Sequence, residues 1–95
     1  MSKQSILDKI TIVIRELQLA GDSREVDWLT GVKSDLDLLK EKIIPHNLEC
    51  SLTELSQKLV APRGYVDTQG DLDMATWANL LDDLDKDLKK TYNLK

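Results

Sequence analysis

The feature that most constrains the fold is a helical spacing of apolar residues in four separate stretches of the chain. Apolar residues recur every three or four positions in each stretch, as on the buried face of an amphipathic α-helix. The pattern predicts helices over about residues 3–20, 23–43, 52–60 and 73–92. No stretch alternates apolar and polar residues as a half-buried strand does. The sequence therefore predicts an all-α single domain over residues 1–95, an antiparallel four-helix bundle-like fold.

Signals at the helix ends predict the first connection. Gly21 is suited to close the first helix in the left-handed conformation. Asp22 is expected to cap the second helix, with the Glu25 side chain reaching back to complete a capping box. Pro45 marks the limit of the second apolar pattern. Gly31 lies inside that helix at a cost of about 1 kcal/mol relative to Ala, and it is either tolerated or permits close packing.

The one histidine and the one cysteine lie four residues apart, near the start of the third predicted helix. Ser51 and Glu54 have the spacing of a capping box, so His46 and Cys50 are expected to straddle the start of that helix. We expect a loop histidine and a partly buried thiol. Two ligands do not close a zinc site, which takes three or four. The sequence predicts no catalytic, cofactor or metal site, and we expect no enzyme.

Composition narrows the class of protein. Hydrophobic residues make up 41% of the 95 residues and charged residues 32%, which is typical of a folded globular chain. No apolar run is long enough to span a membrane. A lone cysteine cannot form an internal disulfide, which favours a reducing compartment and a cytoplasmic location. The net charge of −4 argues against nucleic acid as a partner, because phosphate binding depends on excess lysine and arginine.

The negative charge is concentrated near the C-terminus. The segment from residue 67 to residue 87 contains seven acidic residues and one basic residue, Lys86, so its net charge is −6. Such a segment is either an ordinary solvated surface or a site that captures a basic protein. The seven acids are Asp67, Asp71, Asp73, Asp82, Asp83, Asp85 and Asp87.

Part of this segment has the spacing of a calcium-binding loop. Asp83, Asp85 and Asp87 match the first three ligand positions of such a loop. Leu88 stands where the turn glycine is required, and Leu94 stands where the bidentate glutamate is required. The sequence therefore predicts no calcium site here.

The least regular segment, residues 61–71, is rich in turn-forming residues and predicts an ordered surface loop. Arg63 and Tyr65 are residue types that anchor interfaces when a loop exposes them, although ordinary loop packing is the alternative. Trp28 and Trp77 lie on or beside apolar stripes and are expected to anchor the core or its rim. The last helix is expected to take its cap from an aspartate at 71 or 73.

The order of features resembles the small helical bacterial immunity proteins of polymorphic or contact-dependent toxin systems. The resemblance spans about residues 6–88 and is carried by Ala20-Gly21, by Trp28-Leu29, and by a leucine helix that runs into residues 62–67, Pro-Arg-Gly-Tyr-Val-Asp. What the resemblance implies is a stoichiometric inhibitor that binds a toxin domain, commonly a nuclease. It implies no catalytic residue.

The leading hypothesis is therefore a non-catalytic immunity protein or antitoxin, a monomer or weak homodimer, that covers a basic toxin surface. The predicted partner-binding residues are Arg63, Tyr65, Asp67, Asp82, Asp83, Asp85 and Asp87. The alternative is a structural or regulatory helical module that acts through homo-oligomerisation or as a complex subunit. Its apolar contacts would come from Leu36, Leu39, Ile43 and Tyr92.

Overall fold

The computed structural model describes residues 3–40, 43–60, 64–68 and 70–93. These residues form four helices, α1 (Lys3–Leu19), α2 (Ser23–Leu38), α3 (His46–Val60) and α4 (Met74–Tyr92), with a short 3-10 turn at Tyr65–Asp67. The prediction of an all-α helical bundle is confirmed. Within the described ranges, none of the helices combines the length and the apolar character that a membrane crossing requires.

The helices pack as a ring around one core. α1 contacts α2 and α4, and α3 contacts the same two helices, so α2 and α4 lie diagonally opposite each other. The apolar stripes predicted from the sequence face inward, and Trp77 is fully buried among leucines and isoleucines from the surrounding helices. Because α2 and α4 are diagonal, their exposed faces lie on opposite sides of the bundle.

The link between α1 and α2 follows the predicted chemistry in all but one respect. Gly21 has a φ of 84°, and the next N–H, from Asp22, donates to the carbonyl of Leu17 at 3.0 Å. This left-handed termination confirms the predicted cap. Asp22 also caps α2 by accepting from the backbone N–H of Glu25. The Glu25 side chain does not complete the predicted capping box, because Lys58 of α3 and the Tyr65 hydroxyl bind its carboxylate.

α2 ends at Leu38, about five residues before the predicted end. The Lys3 ammonium donates to the backbone carbonyls of Asp37 and Leu39, at 3.1 and 2.7 Å. These bonds satisfy carbonyls that a further helical turn would otherwise have used. Ile43, predicted to lie on the apolar stripe of this helix, lies beyond its end and is 83% exposed.

α3 begins at His46, six residues earlier than predicted. Pro45 precedes the helix, and the additional turn brings Leu48 into the core. The predicted capping box is wrong, because Ser51 lies inside the helix and its hydroxyl donates to the carbonyl four residues before it. Cys50 is therefore on a helix surface and is exposed, which corrects the expectation of a partly buried thiol.

α4 agrees with its predicted bounds to within a residue. Of the two candidate caps, Asp73 is the one used, and its carboxylate accepts from the N–H of Thr76 at 3.4 Å. The hydrogen bonds from Thr76 lower the pKa of Asp73 below its ordinary value. Asn93 ends the helix in the left-handed conformation, with a φ of 54°.

Candidate functional site

The predicted loop residues occupy very different positions. Tyr65 is only 3% exposed, so the expectation that it offers an interface anchor is wrong. Its hydroxyl donates to Glu25 at 3.0 Å, and its backbone carbonyl accepts from the indole N–H of Trp77 at 2.8 Å. Asp67 is exposed and stays a predicted contact. Arg63 lies outside the described residues.

Lys58 joins the loop to the helices around it. Its ammonium pairs with the carboxylate of Glu25 on α2 and lies 4.2 Å from the centre of the Trp28 ring. The same ammonium lies 3.6 Å from Glu54 and 5.9 Å from the centre of the Tyr65 ring. One cation thus contacts α2, α3 and the 3-10 turn, and Trp28, one of its contacts, is partly buried against the core.

This cluster shifts the ionisation of two of its members. Burial alone would raise the pKa of Glu25, but hydrogen bonds from Lys58 and Tyr65 and the charge of Lys58 lower it below its ordinary value. Burial raises the pKa of Tyr65 well above its ordinary value, and the hydrogen bond to the Glu25 carboxylate raises it further. Both shifts favour the state in which Glu25 is ionised and Tyr65 is protonated.

Two glycines bring this loop close to the helices. A Cβ added at Gly64 would lie 1.8 Å from the carbonyl oxygen of Lys58, and one added at Gly70 would lie 2.9 Å from that of Glu16. The buried Glu16 carboxylate accepts from the backbone N–H of Leu72 at 2.8 Å. The described part of the loop therefore packs closely against α3 at Gly64 and against α1 at Gly70.

Two of the four aspartates predicted to form an acidic face on α4 are buried. Asp85 is 4% exposed, accepts a hydrogen bond from the hydroxyl of Ser56 and lies 3.0 Å from the ammonium of Lys89. Asp87 is 9% exposed and pairs with Lys9 on α1. Asp85 and Asp87 connect α4 to its neighbours, so the expectation that they face a partner is wrong.

The other two aspartates of α4 remain on the surface. Asp82 pairs with Lys86 at 2.9 Å, one helical turn along, and this hydrogen bond raises the pKa of the lysine. Asp83 is exposed, and no base in the described residues pairs with it. Lys89 and Lys90 are exposed farther along the same helix. The surface of α4 is thus of mixed charge, in contrast to the continuous acidic face that the sequence predicted.

A second acidic surface lies on α2, where sequence reasoning did not place one. Its residues are all exposed. Asp35 and Asp37 flank a strip of small side chains, and Asp27 lies in line with that strip one turn before Gly31. No base pairs with these carboxylates in the described ranges. The only exposed base on α2 is Arg24, since Lys33 is half-buried. We call this surface the outer α2 face, and it comprises Asp27, Thr30, Gly31, Ser34, Asp35 and Asp37.

The outer α2 face is flat at its centre. A Cβ added at Gly31 would meet no atom within 4 Å, so the packing of this chain does not require a glycine there. A glycine inside an exposed helix costs about 1 kcal/mol relative to alanine. The signal was present in the sequence as a polar stripe with a glycine at its centre. The acidic surface was predicted on α4 because acidic residues are denser near the C-terminus of the sequence.

Comparison with family models, with curated proteins and with solved structures finds no match for this chain.

Proposed function

We propose that the protein is a non-catalytic binding protein, an immunity protein or antitoxin that neutralises a basic toxin domain. In this proposal the toxin is a nuclease-like protein with a cationic surface, and the outer α2 face covers that surface. The observation that carries the proposal is a set of three exposed carboxylates, Asp27, Asp35 and Asp37, with which no base pairs among the described residues.

Charge complementarity supplies the attraction. A carboxylate that already forms an ion pair within its own chain must give up that pair when it binds a partner. An unpaired carboxylate gains an ion pair without losing one. The surface carries three acids, with Arg24 as the one exposed base of α2 and the Lys3 ammonium beside its C-terminal end, and this excess of negative charge speeds the approach of a cationic partner. An enzyme that binds phosphate backbones carries such a cationic cleft, and an acidic protein seated on it excludes the nucleic acid.

Shape supports the same surface. Thr30, Gly31 and Ser34 project little beyond the helix backbone, so a partner can approach α2 closely along its middle turns. The glycine has no packing role within the described residues, and a close-packed partner provides a reason for a residue that weakens the isolated helix. The interface would then combine a small, flat centre with carboxylates along its edges.

The first test is complex formation with the product of the gene that neighbours the one encoding this chain. We expect a one-to-one complex by size-exclusion chromatography and calorimetry, stoichiometric loss of toxin activity, and an affinity that falls as salt is raised. Failure to bind any basic partner at low salt would contradict the proposal.

A steric variant tests which face is used without altering charge. Gly31→Leu fills open space on the outer α2 face and should leave the fold intact, yet it should weaken the complex at least tenfold. Ala75→Leu is the matched control, because Ala75 is also a small exposed residue of a helix but lies on α4, on the opposite side of the bundle. Equal affinity of both variants for the toxin domain would show that the partner does not seat on α2.

A specific observation favours a second function, homo-oligomerisation through the corner between α2 and α3. Leu38 is 73% exposed and Ile43 is 83% exposed at this corner. Of the apolar contacts predicted earlier, Leu36 is fully buried and cannot contribute, whereas Leu39 is half-buried beside the corner. Sedimentation of the protein over a range of concentrations tests this alternative, and a strict monomer under all conditions would exclude it.

A further inference from the structure

An apolar groove lies between the C-terminal end of α2 and the start of α3. Its volume is about 310 Å³, and its apolar walls are Leu38, Leu39, Pro45 and Leu48. Asp35 is the one charged residue among its described lining residues. A volume of about 300 Å³ is at the lower end of the range for small-molecule sites. The groove is therefore of a size to take one or two side chains of a partner protein.

The groove opens onto the outer α2 face. Leu38 lies seven residues after Gly31 and four after Ser34, and side chains at these spacings share one side of a helix. Asp35 belongs to the outer α2 face and also lines the groove. An interface centred on the outer α2 face would therefore extend into the groove.

Leu38 differs from the small side chains that precede it on this side of α2. It is 73% exposed, and the exposed aspartates Asp35 and Asp37 flank it on the helix surface. The Lys3 ammonium donates to backbone carbonyls here, and no base in the described residues pairs with either carboxylate. Lys40 is exposed beyond the end of the helix. The outer α2 face thus ends in a large apolar side chain between two unpaired acids.

The complement of this arrangement is an apolar side chain with bases beside it. Such a side chain, seated in the groove, would cover Leu38 and Pro45 and gain the hydrophobic contribution of their burial. A lysine or arginine next to it would pair with Asp35 at the edge of the groove. A polybasic segment without the apolar side chain would gain the ion pairs alone. The groove therefore discriminates between basic partners that charge alone would not separate.

We propose that the groove between α2 and α3 receives a large apolar side chain of the toxin domain, and that a lysine or arginine beside that side chain pairs with Asp35. The inference rests on the proposed function, since it names the feature by which the outer α2 face selects its partner. In the complex, the charges speed the approach of the two proteins, and the apolar anchor slows their separation.

A pair of synthetic peptides tests the groove without the toxin domain. Acetyl-Lys-Lys-Leu-Lys-Lys-amide carries an apolar side chain between bases, and the matched peptide with serine at its centre has the same charge. The full chain is titrated with each at low salt and followed by its amide NMR signals. The leucine peptide should shift the signals of Leu39, Asn47 and Leu48 and should bind at least about threefold more tightly than the serine peptide. Equal affinities, or shifts confined to residues 27–34, would overturn the proposal.

Variants measure the same contact in the complex with the product of the neighbouring gene. Leu38→Ser should weaken that complex at least about tenfold at low and at high salt, because salt does not screen an apolar contact. The loss caused by Asp35→Asn should shrink as salt is raised. Met74→Ser is the matched control, because Met74 is an exposed apolar residue of α4, and it should bind as the unmodified chain does.

The outcomes separate this proposal from the proposed function. A complex that Leu38→Ser leaves unchanged would overturn the role of the groove while the outer α2 face keeps its partner. Absence of any complex would contradict the proposed function, and the peptide pair would then decide whether the groove selects apolar side chains between bases. Self-association that Leu38→Ser abolishes would assign the groove to a second copy of this chain and would also overturn the proposal.

Discussion

The aspartates of α4 and those of α2 are chemically identical, but the fold uses them in opposite ways. In α4, Asp85 and Asp87 turn inward and connect the helix to Ser56 and Lys9. In α2, Asp27 and Asp35 face outward, and no base pairs with them in the described part of the chain. The helix with the denser acidic sequence therefore presents fewer unpaired carboxylates to a partner.

The difference shows that the density of acids along a sequence is a poor guide to an acidic surface. The direction in which each carboxylate points depends on its position around the helix and on the base or hydroxyl that a neighbouring helix supplies. Lys89 follows Asp85 by one turn, and Lys9 lies across from Asp87 on α1. On α2, no base in the described residues pairs with the carboxylates of Asp27 and Asp35, and the Lys3 ammonium beside Asp37 bonds to the backbone carbonyl of that residue.

The largest effect that would test this contrast is the loss of a buried α4 carboxylate. Asp85→Ala should reduce the free energy of unfolding by about 2 kcal/mol, because the Ser56 hydroxyl would be left buried without its acceptor. Asp85→Asn keeps an acceptor oxygen and should cost less. Urea denaturation measures both variants, and an effect of Asp85→Ala below about 0.5 kcal/mol would show that this carboxylate is not structural.

Glu25 differs from the other acids of α2, because its carboxylate binds Lys58 and Tyr65 and so stabilises the fold. Glu25→Gln should cost about 1 kcal/mol, since the ion pair with Lys58 is lost and the hydrogen bond from Tyr65 is weakened. Denaturation at neutral pH measures this cost. Asp35→Asn, an equivalent change on the exposed edge of the same helix, is the control and should have almost no effect.

The lowered pKa of Glu25 predicts that the free energy of unfolding depends on pH. The pKa of Glu25 is lower in the folded state than its ordinary value. The ionised carboxylate therefore stabilises the fold above the unfolded-state pKa of about 4.3, and this stabilisation is lost as the pH falls through the folded-state value. Unfolding curves collected between neutral and acidic pH should converge for the unmodified chain and Glu25→Gln. A constant difference across that range would contradict the assigned ion pair.

A smaller effect of opposite sign is expected at the centre of the outer α2 face. Gly31→Ala should raise the free energy of unfolding by about 0.5–1 kcal/mol, because alanine is the better helix former and its Cβ would meet open space. Thermal denaturation measures the change. Destabilisation would mean that the glycine has a packing role within this chain.

The smallest effect is expected for the outward aspartates of α2. Asp27→Ala and Asp35→Ala should each change the free energy of unfolding by no more than about 0.5 kcal/mol, because no described residue forms an ion pair with either. The same denaturation assay compares them with Asp85→Ala. A cost near that of Asp85→Ala would remove the distinction between the two helices.

The sequence predicted the helices and several of their ends because those features depend on local residues. The caps at Gly21 and Asp73 and the burial of Trp77 follow from residue type and spacing. The early end of α2 could not be predicted locally, because the lysine that satisfies its last carbonyls comes from residue 3. The early start of α3 depends on the burial of Leu48, which only the assembled core provides.

The candidate site was harder to predict, because exposure depends on partners distant in sequence. Tyr65 was predicted from its loop to be an exposed anchor, but it is buried by contacts with Glu25 and Trp77. Asp87 is removed from the surface by Lys9, which lies 78 residues away in the chain. Asp67, Asp82 and Asp83 are exposed, but Asp82 and Asp83 lie on α4, across the bundle from the outer α2 face.

Charge reversal on the two helices tests the central claim most directly. The double variant Asp27→Lys, Asp35→Lys and the matched double variant Asp82→Lys, Asp83→Lys make the same change in net charge on opposite sides of the bundle. Calorimetric titration of each with the basic toxin domain at low salt should show at least a tenfold loss of affinity for the α2 variant and less than about a threefold loss for the α4 variant. The reverse order, or equal losses, would contradict the assignment of the binding surface to α2.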